Sequence, residues 1–208
     1  MLTHWFRRAL VVVVAGLSLV VAGCSSSTIE SALKPTRIIS FGDGLSDVGS
    51  NAGARYTVND GAVNIWAQQV AASYGLTLTA TLTGYARGNA RVNANPGAAG
   101  TDTLTIAQQI DAFLATDAFG ANDVVLINGG ISDIIVNTAR FTDATLSIPF
   151  GGTITSAQMT ANVKQAGTDL ATQVRRVVNK GAKHVLVTGA YNLGHTPWAT
   201  AIGQTTLL

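Results

Sequence analysis

The sequence predicts an α/β fold built on a central parallel sheet, and three observations carry that expectation. Short, largely apolar runs occur at Thr36–Phe41, Val124–Asn128 and Ala182–Thr188. Each stops in glycine, at Gly42, at Gly129 and Gly130, and at Gly189. Longer stretches with apolar residues at helical spacing separate them. Buried strands alternating with long helices are the pattern of a parallel sheet covered on both faces. Ligands bind such sheets beyond the carboxyl ends of the strands, so the residues after Phe41, Asn128 and Thr188 come first for inspection.

The helical segments follow from periodicity and end signals. Asn64–Tyr74 carries Ile65, Trp66, Val70, Ala71 and Tyr74 on one face, and Gly75 stands where a helix ends. Over Thr103–Thr116 the residues Leu104, Ile106, Ile110, Phe113 and Leu114 form a second apolar face. A third helix is expected over Ser156–Lys180, from an N-cap at its start to Arg175, Arg176 and Lys180 near its negative end, with Gly181 beyond. Leu76–Thr83 and Asn93–Thr103, rich in Thr, Ala and Gly, read as loops or edge structure.

Hydrophobic residues make up 47% of the 208 and charged residues 12%, which suits a folded core rather than disorder. Thirteen Lys and Arg against eleven Asp and Glu give a net charge of +2, and Arg7 and Arg8 alone account for the excess. No basic run is present to supply phosphate contacts, so nucleic acid is not an expected partner. The single Glu, Glu30, leaves paired-carboxylate chemistry to Asp. No His, Asp or Glu cluster has metal-ligand spacing, and neither a metal nor an organic cofactor is implied.

The amino-terminal residues read as a secretory leader. Arg7 and Arg8 precede an apolar stretch from Ala9 to Ala22, about 14 residues where a permanent span needs about 20. Val21-Ala22-Gly23-Cys24 resembles a bacterial lipobox, which implies a diacylglyceryl thioether on Cys24 and cleavage before it. The alternative is a chance cysteine in an ordinary leader. As the only cysteine, Cys24 can form no internal disulfide. The expected organisation is a leader over residues 1–23, a lipidated tether over 24–35 and one domain over 36–208. By resemblance to Gram-negative lipoproteins, Ser25 after the lipidated position favours the outer membrane.

At the end of the first strand stands Phe41-Gly42-Asp43-Gly44-Leu45-Ser46-Asp47-Val48-Gly49. It resembles the first block of the GDSL (SGNH) ester hydrolases, F-G-D-S-L-S-D-x-G, with Gly44 in place of the nucleophilic serine. Gly84-Tyr85-Ala86-Arg87-Gly88-Asn89-Ala90-Arg91 resembles N-Y-A-x-G-G-A-R, and Gly130-Ile131-Ser132-Asp133 resembles G-x-N-D. Asn192-Leu193-Gly194-His195-Thr196-Pro197 is similar to D-L-G-x-T-P. The resemblance runs from Arg37 to Pro197. It implies a flavodoxin-like three-layer sandwich, the SGNH hydrolase fold, without its C-terminal strand and helix, and an apolar edge left uncovered there.

In the family a serine oxygen attacks an ester carbonyl, a base takes its proton, and aimed donors hold the oxyanion, each worth about 3 kcal/mol. The resemblance assigns those donors to the backbone N–H groups of Gly44 and Gly88 and to the side chain at Ser132, where the family has Asn. Asp43, Ser46 and Asp133 are supporting residues. Asp43, Asp47 and Asp133 bond turn backbone, and Ser46 caps a helix beginning after the turn. The D-x-x-H block is absent. His4 belongs to the leader, His184 opens a strand as a partly exposed edge residue, and His195, with Asn192 three before it, lacks a carboxylate partner.

Three readings follow: an ester hydrolase inactive as written, a module that binds carboxylate, acyl-ester or lipid-like groups, or a fragment or altered copy of an active esterase.

Overall fold

The computed structural model describes residues 33–59, 63–142 and 152–206. The expected leader, Cys24 and most of the tether lie outside these residues. Lys34–Leu208 forms one compact unit. Strand β1 is Arg37–Phe41, followed by helices α1 (Trp66–Ser73) and α2 (Ile106–Thr116), strand β2 (Asp123–Asn128), helices α3 (Ile131–Thr142) and α4 (Ser156–Asn179), and strand β3 (His184–Thr188). A 3-10 turn at Leu193–His195 and a short helix α5 (Pro197–Ala201) come last.

The three strands pair in the order β1-β2-β3, all parallel, as an open sheet. Phe41 stands opposite Ile127, and Ile127 opposite Val187, so Gly42 follows β1 at the level of Asn128. Register alone therefore brings the first two glycine-terminated strand ends together.

Strand β2, in the middle, is buried along its whole length. Ile39, Phe41, Val125 and Ile127 meet Ile106, Ile110 and Phe113 of α2 and Val177 of α4 in one apolar core. Aromatic rings extend it, with Phe113 5.8 Å from Phe41 and 4.6 Å from Phe119 between centroids. At the opposite end of the sheet, Arg37 is held by Asp123 at 2.7 Å, by Asp117 and by the Ala118 carbonyl, which pins β1 to β2 at their entry.

The expected helices form, with their starts displaced by capping. Thr105 caps α2, its side chain accepting from Gln108 N–H at 3.2 Å while Gln108 Oε1 accepts from Thr105 N–H at 2.9 Å. Leu104 thereby falls outside the helix and is exposed rather than on its apolar face. Thr155 and Gln158 repeat the reciprocal cap at α4, so Ser156 is the first helical residue and not the cap. Helix α3 lies outside the helices expected from the sequence; it starts directly after the Gly129–Gly130 pair and buries Ile131, Val136 and Ala139.

One expectation is corrected at β3. The run Ala182–Thr188 reads as a buried strand, but Leu186 is 46% and Val187 43% exposed. The reason is cover and not edge position alone: β1, at the other edge, is buried, whereas the adjacent residues Leu186 and Val187 face opposite sides of β3 and both are left open.

Candidate functional site

The turn after the carboxyl end of β1 is tied down through Gly42, Asp43, Ser46 and Asp47. Gly42 N–H donates to Gln109 Oε1 at 2.8 Å, and Gln109 Nε2 returns a bond to Gly42 O at 2.9 Å. Gln109 thus behaves as a short strand partner for one residue. A side chain at Gly42 is excluded, since its Cβ would fall 1.9 Å from Asn128 Oδ1 and 2.8 Å from Asn128 O.

Asp43 is buried, and its Oδ1 accepts from Asn128 Nδ2 at 2.6 Å and from Leu45 N–H at 3.1 Å. Burial pushes its carboxyl group above the ordinary aspartate range, and the charge of Asp133 adds to the effect. The Leu45 N–H, the Asn128 amide and, at longer range, the Ile131 N–H at the start of α3 oppose it. Asp43 Oδ2, Asn128 Oδ1 and Ser40 Oγ are buried with no partner within hydrogen-bonding distance among the described residues.

Asp47 organises the rest of the turn. Its Oδ1 accepts from Gly49 and Ser50 N–H at 2.9 and 2.7 Å, and its Oδ2 from Ser50 Oγ and Gly88 N–H, both at 2.6 Å. The last bond corrects the expectation for Gly88: its N–H is already engaged by a buried carboxylate and is not a free oxyanion donor. Gly44 N–H, by contrast, has no partner among the described residues.

Tyr56 closes over both glycines. A Cβ on Gly88 would lie 1.7 to 2.2 Å from three of its ring atoms, so the ring rests directly on the Gly88 backbone. A Cβ on Gly44 would stand 3.0 Å from Tyr56 Cβ. The phenol oxygen accepts from Asn89 Nδ2 at 3.0 Å, which fixes the ring although the residue is 52% exposed.

Ser46 is also corrected. No helix begins at the turn; its buried hydroxyl accepts from the Trp66 indole N–H at 3.1 Å, bracing the first residue of α1. A hydroxyl so placed, with no base beside it, is structural.

Ser132 lies buried in the first turn of α3, and its hydroxyl makes no hydrogen bond to another described residue. Its neighbour Asp133 joins two of the sequence blocks, with Oδ1 accepting from Arg91 Nε and Oδ2 from Val92 N–H, both at 2.9 Å. The expected backbone bond at Asp133 is present, but it reaches across the fold rather than around its own turn.

His184 opens β3 half-buried, and His195 is exposed at the end of the 3-10 turn. Among the described residues neither pairs with an aspartate. Asn192 instead uses its side-chain oxygen to accept from Gly194 N–H at 2.9 Å. No nucleophile, base and carboxylate come together among these residues.

Two cavities flank this region. One, of about 270 Å³, opens beside Gly88 and Tyr56 and has polar walls. The other, about 280 Å³ and mostly apolar, lies between Ile134 and Thr138 of α3, Met159 and Val163 of α4, and Tyr191 and Leu193.

Gln109, Tyr56 and the Asn128 amide were not singled out by sequence reasoning. Gln109 carried a signal, a lone polar residue inside the stripe formed by Ile106, Ile110 and Phe113. Tyr56, in a loop without periodicity, carried none. Compared with known proteins, the chain matches no family model and no curated protein.

Proposed function

We propose that the chain is a lipid-anchored relative of the GDSL ester hydrolases that does not itself hydrolyse esters. The likeness is supported by bonds among the first three of the four resembling blocks: Asp47 to Gly88, Asp43 to Asn128 just before the third block, and Arg91 to Asp133. The loss of hydrolysis is carried by one observation, the filled oxyanion position. Gly88 N–H is consumed by Asp47, and Tyr56 covers Gly44, where the family's serine would stand. Absence of nucleophile and base together costs about a millionfold in kcat, about 8 kcal/mol of barrier.

With p-nitrophenyl acyl esters, hydrolysis by the full chain is expected to equal the buffer blank. Turnover well above that blank, surviving Ser46→Ala, sinks the reading. Anchoring at Cys24 predicts incorporation of labelled fatty acid that is lost in Cys24→Ser; label retained in the variant excludes the anchor, and recovery in the inner membrane excludes the outer-membrane destination.

A second reading, a carrier of acyl or carboxylate ligands, is favoured by the apolar cavity between α3 and α4, which has Lys164 in its wall. An acyl chain would fill it while the ammonium meets a carboxylate. Octanoate is then expected to raise the Tm of the chain, less so in Lys164→Ala. An unchanged Tm at millimolar octanoate excludes this reading.

A further inference from the structure

We propose that the polar cavity beside Gly88 is a binding site for one neutral sugar ring, a hexopyranoside, with Tyr56 as its stacking face. The claim concerns the cavity alone and goes beyond the reading of the turn as a non-catalytic ester-hydrolase block.

Size sets the first limit. The cavity measures about 270 Å³, just under the roughly 300–1,000 Å³ of sites for drug-sized ligands, so it suits a single ring rather than a chain of them.

Chemistry sets the second. Ser50, Asn51, Arg87, Asn89 and Asp102 line the cavity along with Tyr56. Arg87 only donates, Asp102 only accepts when ionised, and the asparagines do both. Opposite charges in one small cavity favour neither an anion nor a cation. A ring of hydroxyls, each donor and acceptor at once, satisfies all of these groups. An acyl chain would leave them desolvated and unpaired. Capacity remains on these side chains: Asp102 has no hydrogen bond or ion pair to a described residue, and Arg87 spends only Nη1, on the Gly84 and Ala86 carbonyls.

The aromatic surface is the third observation. Tyr56 is half-exposed, yet its ring is seated on the bare Gly88 backbone and its hydroxyl is held by Asn89. An aromatic fixed from behind and open in front offers a flat apolar surface at little entropic cost to binding. The C–H face of a pyranose matches it. Gly88, whose N–H is bound by Asp47, then acts as the seat of the ring.

The test is a titration of the full chain with methyl glucoside, methyl galactoside and N-acetylglucosamine, followed by amide NMR spectra. Saturable shifts at Gly88, Asn89 and Thr103 are expected with at least one of them. Tyr56→Ala is expected to weaken that binding by about tenfold or more, Asp102→Ala by about fivefold, and Tyr56→Phe by less than about threefold. Cooperative melting of each variant separates lost binding from lost folding, and Asp102→Ala carries the test if Tyr56→Ala fails to fold. The proposal is overturned if no sugar shifts these amides, or if binding is unchanged in both alanine variants. Sugar binding together with ester turnover would overturn the non-hydrolytic reading and leave this one standing.

Discussion

Strands β1 and β3 both run into glycine at the carboxyl end of the sheet, yet their ends are built differently. After β1, the polar groups of Gly42, Asp43, Ser46 and Asp47 are bonded to residues far along the chain, including Gln109, Asn128, Trp66 and Gly88. After β3, Gly189, Ala190, Tyr191 and Asn192 are exposed, and the Asn192 side chain bonds only two residues away. The difference teaches that a strand-then-glycine pattern marks a place where a site can stand. Rigidity there comes from buried side chains on neighbouring elements. Each prediction below alters one end or the other, and the contrast predicts large costs at β1 and small ones at β3.

Gly42→Ala is expected to be the most disruptive, about 4 kcal/mol or more in urea unfolding, because the new Cβ overlaps both the side chain and the carbonyl of Asn128. Asp133→Ala follows at about 3 kcal/mol, since it strands the largely buried Arg91 and the Val92 N–H. Gln109→Ala is expected to cost about 2 kcal/mol by leaving Gly42 N–H unpaired in the interior, while Gly42 O keeps its bond from Arg87 N–H at 3.1 Å. If any of these melts like the unaltered chain, the β1 turn is not the rigid end it is described as.

Asp43 gives the comparison a pH dependence. Its pKa is raised in the fold, so its contribution is fully present below the ordinary aspartate range and is lost as pH rises through the raised value. Unfolding free energy should therefore carry a component that falls as pH rises above the ordinary aspartate range and that Asp43→Asn removes. An identical slope in both proteins would show that Asp43 titrates as though exposed. The smallest effect belongs to β3: Leu186→Thr, at a position 46% exposed, is expected to change stability by less than about 0.5 kcal/mol.

What could be read in advance divides along the same line. Periodicity placed three strands and three of the helices, because burial of apolar side chains repeats along the chain. Glycine punctuation located the turn after Phe41 for the same local reason. Partners could not be read this way. That Asp47 meets Gly88, that Asp133 meets Arg91, and that Gln109 turns inward to Gly42 depend on how separate elements stack, which leaves no spacing in the sequence. Exposure at β3 cannot be read from HVLVT, which has the composition of a buried strand, because it depends on which faces other elements cover; β1 lies at an edge too and is buried.

The contact between Gly44 and Tyr56 bears on any substitution at either position. With Tyr56 in place, serine at position 44 would crowd the tyrosine Cβ at 3.0 Å and press the ring away from Asn89. Alanine at position 56 removes the ring contacts at 3.3 and 3.8 Å but keeps the Cβ contact at 3.0 Å, and glycine there removes all three. The two positions are therefore coupled: a side chain placed at residue 44 displaces residue 56 by a few tenths of an ångström, and residue 56 is a loop position that no block of the sequence marks.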